Sequence, residues 1–174
     1  DLQKLMNPVW HVHNGSMPEE NTIMTFSMLL NLVETSNADS KQLLWKFVKK
    51  YKSEINENDH PIFDNLIEYA IKYFNDVIKT KKIYKTPNEK EKVALKALIK
   101  SLDNCNDKMA PEDIQTNIFT VGKENGYKEN LRDRFKLIYE VVFGDENGPR
   151  MGYFISFFGV NETKELIRKK VENV

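Results

Sequence analysis

The stretch GDENGPRMGYFISFFGVNETKELIRKK, residues 144–170, decides how this chain folds. Four large apolar side chains follow the i, i+3, i+4, i+7 spacing of one helix face: Met151, Phe154, Ile155 and Phe158. Pro149 suits the first helical position, because the donor that it lacks would have no partner there. Gly159 is a natural left-handed C-cap and Asn161 a natural N-cap. The stretch therefore predicts a short helix, a tight turn and a last helix over about 161–172.

Two small residues lie on a neighbouring face of the same short helix. Gly152 and Ser156 are four positions apart, so they lie above one another on the helix surface. A glycine leaves room for another backbone to approach closely. The pattern predicts that a second element packs tightly against this helix, with Arg150 at the mouth of the turn.

The composition excludes several classes of protein. The 174 residues have a formal net charge of zero, so no overall field attracts the chain to nucleic acid or to a membrane. No apolar run is long enough to span a bilayer, and no signal-peptide pattern opens the sequence. Cys105 is the single cysteine, which rules out a disulfide framework and favours a cytoplasmic location. Because the sequence starts at Asp1 and continues with an apolar segment, we expect a fragment of a longer protein.

Apolar periodicity predicts an all-α chain of about eight helices, with no hairpin signal. Besides the two helices of the stretch quoted first, the predicted helices span about 22–35, 39–51, 62–79, 86–103, 110–124 and 130–143. The helix over 62–79 is expected to bury one long stripe: Ile62, Leu66, Tyr69, Ala70, Tyr73, Phe74 and Val77. Trp45 lies off the stripe of its helix, so it either covers a neighbouring helix or is exposed.

The segment TKKIYKTPNE, residues 80–89, is the predicted boundary between two helical subdomains. Thr86-Pro87-Asn88-Glu89 has the pattern of a capping box with proline at the first helical position. The expected organisation is a leading segment over 1–21, a first helical subdomain over 22–85 and a second over 86–174.

No catalytic constellation can be assembled from these residues. A Gly-rich phosphate loop, a Gly-x-Ser-x-Gly elbow and a His-Glu-x-x-His pattern are all missing from the sequence. His11 and His13 would share one side of a strand, which suits either a metal ion or packing at a domain junction. We favour packing, because no cysteine or further histidine lies near them in sequence. The sequence therefore indicates a binding protein with no catalytic or metal-ligating residues of its own.

Basic side chains are unevenly distributed along the chain. It has 22 lysines and four arginines, and every arginine lies between residues 132 and 168. Arginine binds phosphates and base edges bidentately, whereas lysine is a solvated point charge. Lys92, Lys96 and Lys100 form a row at four-residue spacing. This row is either an ordinary solvated face or a strip that contacts a phosphate backbone.

Four passages resemble class I lysyl-tRNA synthetases, the archaeal-type lysine enzymes. They are PVWHVHNGSMP at 8–18, ENTIMTFSMLLNLVETSN at 20–37, LIEYAIKYFNDVIK at 66–79 and YEVVFGDENGPRMGYFISFFGVNETKELI at 139–167. The run from Gly148 to Gly159 is the most specific of the matching residues, because generic helical stripes would match many families.

The resemblance implies a full-length enzyme that activates lysine with ATP and magnesium and attaches it to tRNA(Lys). It also implies an N-terminal Rossmann-type domain with HIGH and KMSKS signatures, and neither signature occurs in this sequence. The fragment would then be the C-terminal all-helical part of that enzyme, inactive alone and partnered by its own catalytic domain. Residues 86–174 would form the helical cage that binds the anticodon arm, and the segment over 1–21 would come from the catalytic domain. No membrane or DNA partner is expected.

The residues expected to contact RNA follow from this resemblance and from the chemistry of single-stranded RNA, whose bases stack on rings and guanidinium planes. Arg150 would read a base edge or a nearby phosphate, or would instead tie two helices together through a carbonyl cap. Tyr153 or Phe157 would stack on a base. The expected backbone contacts are Arg132, Arg134, Lys164 and Arg168. Two alternatives stay open: the helical anticodon domain of a glutamyl-type class I synthetase, and a helical protein-interaction module.

Overall fold

The computed structural model describes residues 23–172 of the chain, and the leading segment and its histidines lie outside them. Within these residues the chain forms eight α-helices and no strand, which confirms the all-α prediction. The helices are α1 Phe26–Ser36, α2 Lys41–Tyr51, α3 Pro61–Tyr73, α4 Glu89–Ser101, α5 Pro111–Gly122, α6 Leu131–Val142, α7 Met151–Phe158 and α8 Val160–Glu172.

Two α-helices continue directly into π-helical turns. After α3 the chain forms a π-helical turn over Phe74–Ile78 and a 3₁₀ turn over Lys79–Lys81. After α5 a π-type turn over Lys123–Tyr127 contains a kink, where Gly126 has φ 92°. π-Turns are rare and are often found at functional sites. The extension of α3 is therefore a candidate part of such a site.

Side chains cap the starts of α1 and α4, and a proline begins α5. Thr25 precedes α1, and its Oγ1 accepts a hydrogen bond of 3.2 Å from the backbone N–H of Met28. Pro111 begins α5 as expected. The capping box of α4 is formed by Asn88 and Glu91, two positions further along than predicted. Pro87 therefore precedes the cap residue, and α4 begins at Glu89.

The turn between α7 and α8 differs in detail from the prediction. Pro149 lies outside α7, because Arg150 is the N-cap and the helix begins at Met151. Gly159 has the expected positive φ of 112°, but its ψ of 144° is extended instead of left-handed helical. Asn161 lies inside α8, which already begins at Val160. The two helices are therefore joined by a single residue, Gly159.

The predicted buried stripe of α3 is correct only in part: Ala70 and Phe74 are buried as predicted, whereas Phe63 and Ile67 were not predicted. The buried residues are Phe63, Ile67, Ala70 and Phe74. Three members of the predicted stripe are exposed: Ile62, Tyr69 and Tyr73. Both sets follow a helical period, so periodicity alone could not decide which one faces the core.

The core is one continuous cluster of buried side chains, and α7 lies at its centre. Seven of the eight residues of α7 are buried, and its neighbours are α1, α2, α5 and α8. Buried residues of the cluster come from both sides of residues 80–89. Trp45 covers α3 from α2: its indole N–H donates to Asp64 over 2.9 Å, and its ring meets Phe63 edge to face. The division into two subdomains stays a prediction.

Gly152 lets the backbones of α5 and α7 approach closely. A Cβ at this position would overlap the carbonyl oxygen of Pro111 and lie 2.9 Å from the Cβ of Gln115. The Gly152 N–H donates to Gln115 Oε1 over 2.7 Å, and Ser156 Oγ donates to the Gly152 carbonyl over 2.9 Å. The close approach predicted from Gly152 and Ser156 is confirmed.

A cluster of charges holds the turn between α7 and α8. Asp107 Oδ1 accepts a hydrogen bond of 2.8 Å from the N–H of Val160, the first residue of α8. Lys50 of α2 lies 2.9 Å from Asp107 Oδ2 and 3.0 Å from Glu162 Oε1. The cluster therefore joins α2, the segment before α5 and the start of α8.

We expect Asp107→Asn to lower the free energy of unfolding at neutral pH and to have little effect in strong acid. Burial raises the pKa of Asp107, but the hydrogen bond from Val160 and the contact with Lys50 outweigh it, so the pKa lies below its usual value. A lowered folded-state pKa stabilises the fold above the unfolded-state pKa, and this contribution is lost as the pH falls through the folded-state value. Urea unfolding of both proteins between pH 7 and pH 2 measures the difference. A difference that stays constant over this range would exclude the carboxylate charge as its cause.

Candidate functional site

A cavity of about 780 Å³ opens between α1, the end of α2, the extension of α3 and the segment from the α6–α7 loop into α7. Part of its wall is apolar and aromatic: Met24, Met28, Tyr51, Phe74, Ile78 and Phe157. Five of its lining residues carry charges: Glu34, Lys52, Lys82, Asp145 and Arg150. We call this space the Arg150 cavity. It combines ring faces with an excess of cationic over anionic groups.

The loop that carries Arg150 is fixed from behind by Tyr139 of α6. The Tyr139 hydroxyl donates to the Pro149 carbonyl over 2.8 Å. Gly148 lies against the ring of Tyr139, and a Cβ at this position would be 2.7 Å from its Cε1. Asn147 N–H donates to Asp145 Oδ1 over 3.0 Å. These contacts hold the backbone of the loop, so Arg150 leaves it at a defined point.

Arg150, Tyr153 and Glu112 form a polar cluster at the edge of the cavity. The Arg150 guanidinium carbon lies 5.6 Å from the centroid of the Tyr153 ring, a separation at which a cation interacts with an aromatic face. The Tyr153 hydroxyl donates to Glu112 Oε1 over 2.5 Å. This hydrogen bond lowers the pKa of Glu112 and raises that of Tyr153, and Arg150 adds to the first effect and opposes the second. The cluster orients one ring and leaves Arg150 exposed.

Two helix N-termini border the Arg150 cavity. Thr25 and Ser27 belong to the start of α1, and Arg150 is the N-cap of α7, where its side chain makes no capping bond. Helix N-termini carry partial positive charge, although Met28 N–H and Gly152 N–H are already paired with Thr25 and Gln115. Together with Lys52 and Arg150, the two termini favour a ligand with negative charge.

A buried carboxylate network closes one side of the cavity, and sequence analysis did not find it. Glu34 accepts from the Tyr84 hydroxyl over 2.6 Å and pairs with Lys82 over 3.1 Å. Lys82 also donates to the Phe143 carbonyl over 2.6 Å. Burial raises the pKa of Glu34, while the contacts with Tyr84 and Lys82 oppose that effect. These residues are far apart in sequence, so no spacing pattern could have indicated them.

The described part of the chain lacks two other kinds of site. Among residues 23–172, no group of three or more histidine, cysteine, aspartate or glutamate side chains could hold a metal ion. None of the helices in the same range is long and apolar enough to cross a membrane.

Comparison with known proteins found relatives over nearly the whole chain. The chain is 42% identical over 166 residues to a lysine–tRNA ligase of Rickettsia conorii, which covers 95% of the chain. It is 41% identical over 170 residues to that of Rickettsia akari and 39% identical over 170 residues to that of Rickettsia bellii, each covering 97% of the chain. The chain is similar to lysine–tRNA ligases. It spans about one third, 32%, of the length of these relatives.

The comparison confirms part of the resemblance seen in the sequence. A region of lysine–tRNA ligases is matched, whereas the class I assignment and the anticodon-binding role stay predictions. No family model and no solved structure matches the chain.

The structure separates the residues expected to contact tRNA in such a ligase. Arg150, Tyr153 and Phe157 all line the Arg150 cavity. Phe157 is buried, however, and its ring lies 4.0 Å from that of Tyr51. Of the two rings expected to stack on a base, Phe157 is therefore held in the core, and Tyr153 is the one that remains available.

Arg134 is not on the surface, contrary to the expectation that it holds RNA backbone. Its side chain is fully buried in α6, and its Nη1 donates to the Ala94 carbonyl of α4 over 3.2 Å. The ring of Tyr127 lies 5.5 Å from its guanidinium carbon. Burial lowers the pKa of Arg134. A side chain in this position cannot reach a phosphate at the protein surface.

The other expected backbone contacts lie elsewhere on the molecule. Lys96, Lys100 and Arg168 line a second cleft of about 290 Å³ between α4 and α8. Three cations have carboxylate partners: Lys92 with Glu89, Lys164 with Asp103, and Arg168 with Glu165. Arg132 is exposed on α6. These side chains therefore do not form a single basic surface with Arg150.

Proposed function

We propose that this chain is the tRNA-binding part of a lysine–tRNA ligase and that it binds the anticodon arm of tRNA(Lys). In this proposal it is the C-terminal part of a class I enzyme. The observation that carries the proposal is the Arg150 cavity, in a chain that is 42% identical to a lysine–tRNA ligase over 95% of its length. The similarity to lysine enzymes favours this family over the glutamyl-type synthetases.

Recognition of a base in the Arg150 cavity would use two contacts. Tyr153 presents a ring, oriented by Glu112, on which an unpaired base can stack. Arg150 is exposed beside that ring. The N–H donors of its planar guanidinium suit the carbonyl oxygens of uracil. Uracil is a base of the lysine anticodon. The phosphate next to that base would be attracted by Lys52 and by the helix N-termini at the cavity.

Catalysis would belong to the remaining two thirds of the ligase. There, ATP and magnesium would serve to activate lysine, and the lysyl group would be transferred to tRNA(Lys). This chain would orient the tRNA for that reaction and, like the whole enzyme, act in the cytoplasm. The polar groups described above suit binding and provide no nucleophile or general base.

Replacing Arg150 by alanine in the full-length ligase should weaken tRNA(Lys) binding by about 1–3 kcal/mol, the usual scale of a specific base contact. The loss should be smaller for tRNA(Lys) transcripts whose anticodon uridines are replaced, because those transcripts lack the carbonyl contacts. Filter binding and lysylation kinetics with both transcripts measure the two effects.

Arg132→Ala is the matched control for this experiment, because Arg132 is also an exposed arginine but lies on α6 away from the cavity lining. It should change binding to both transcripts equally and by less. If Arg150→Ala leaves both the affinity and the preference for uridine unchanged, Arg150 does not read the anticodon.

A further inference from the structure

Helix α3 has an apolar surface that is wider than its contact with the core. Beside its buried stripe lie Leu66, Tyr69 and Tyr73, at the i, i+3 and i+7 positions of a second stripe. Tyr69 is 64% exposed and Tyr73 45% exposed. A surface helix needs one apolar stripe to pack on its own core. We call Leu66, Tyr69 and Tyr73 the α3 stripe.

The α3 stripe lies next to the start of α1, and this position indicates which part of a longer polypeptide would cover it. The ring of Tyr73 packs against Phe26, the first residue of α1, with centroids 6.0 Å apart. The start of α1 therefore lies beside the stripe. The relatives are about three times as long as this chain, since it covers 32% of their length. In the proposed function the rest of such a ligase precedes α1, so it is joined to the chain at the helix end that lies beside this stripe.

The composition of the stripe suits a contact between domains of one chain. Tyrosine is enriched at protein interfaces, since its ring buries apolar area while its hydroxyl can find a polar partner or water. Charged and amide side chains surround the stripe on the same helix, among them Glu68, Lys72 and Asn65, all exposed. A small apolar centre with a polar rim is the usual form of such interfaces.

We infer that the α3 stripe is the surface on which the catalytic part of the same ligase polypeptide packs. The inference rests on the proposed function, because it requires that the chain belongs to a longer ligase with the catalytic part ahead of α1. The contact fixes the position of the Arg150 cavity relative to the catalytic centre, so it determines whether one tRNA reaches both.

Hydroxyl-radical footprinting of the full-length ligase without RNA tests the contact directly. On this chain Tyr69 is 64% exposed and Tyr84 is 41% exposed, so an uncovered Tyr69 is oxidised faster than Tyr84. We expect the opposite order in the full-length ligase, with Tyr69 and Tyr73 both slower than Tyr84. Faster oxidation of Tyr69 than of Tyr84 overturns the inference. Protection that disappears on dilution also overturns it, because a second copy would then be the occupant.

A pair of substitutions tests the consequence for lysylation. Tyr69→Lys in the full-length ligase should lower kcat/KM for tRNA(Lys) about tenfold through misplacement of the two parts, with no change in affinity for an anticodon stem-loop. Val93→Lys is the control, since Val93 is also 64% exposed but lies on α4. Equal effects of the two substitutions would overturn the inference. The footprinting experiment is carried out without RNA. Its result therefore does not depend on whether the Arg150→Ala experiment supports a role of Arg150 in tRNA binding.

Discussion

Gly152→Ala should lower the free energy of unfolding by about 3 kcal/mol, the upper part of the range for overpacking a core. The added Cβ would overlap the carbonyl oxygen of Pro111. Backbone atoms cannot turn aside as a flexible side chain can, so α5 and α7 would have to separate. That separation would also lengthen the hydrogen bond from Gly152 N–H to Gln115. Urea unfolding followed by circular dichroism measures the loss.

Close packing predicts that Gly152→Ala destabilises the fold, whereas helix propensity predicts that it stabilises the fold. Gly152 lies inside α7, and alanine in a helix interior is normally about 1 kcal/mol more favourable than glycine. Gly126→Ala is the control, because a Cβ there would meet nothing within 4 Å and only the φ of 92° opposes it. We expect a loss of about 1 kcal/mol for this control. A gain in stability for Gly152→Ala would show that α5 and α7 are not in backbone contact at this position.

Arg134→Met should raise the free energy of unfolding by up to about 4 kcal/mol, because even buried ion pairs can be replaced by apolar residues of similar size with gains of that order. Arg134 is fully buried, and in the described structure its Nε and Nη2 have no hydrogen-bond partner. Methionine removes these donors and still fills the space between α4, α5 and α6 with a flexible chain. The Ala94 carbonyl keeps its partner within α4, because an interior helical carbonyl accepts from four residues ahead.

The same variant separates a structural role of Arg134 from a role in RNA binding. Because the side chain is buried, Arg134→Met should leave the affinity for tRNA(Lys) and its dependence on salt unchanged. Removal of a phosphate contact would instead weaken binding. It would also reduce the slope of log K against log salt concentration by about one, the contribution of one phosphate contact. Thermal unfolding and filter binding at two salt concentrations provide both measurements. A weaker, less salt-dependent complex would return Arg134 to the RNA-binding surface.

Much of the helical pattern could be predicted from local signals. Pro111 at the start of α5 and the glycine between α7 and α8 are examples, because proline and glycine restrict the backbone independently of the rest of the chain. The position of the α4 cap was wrong by two residues. Thr86 and Asn88 are both good cap residues, and Glu91 decides between them because its carboxylate binds the N–H of Asn88.

The candidate site could be predicted only in part. Arg150 and Tyr153 were found because they lie close together in an unusual stretch of sequence. Glu34 and Lys82 were missed, since their pairing depends on the approach of α1 to the segment before α4. Arg134 and Phe157 were assigned to the surface because a side chain's type does not reveal which face of a helix is covered.

The sequence by itself determined most of the helices and the close approach at Gly152, because each depends on residues that are near one another along the chain. The similarity to lysine–tRNA ligases was also evident from the sequence, in four passages spread over residues 8–167. Only the tertiary structure decided which of two apolar stripes of α3 enters the core, since both have the helical period. It also decided that Arg134 is buried, while Arg150 stays exposed at a cavity lined by α1, the extension of α3 and α7. Burial depends on the packing of distant helices, and no local spacing records it.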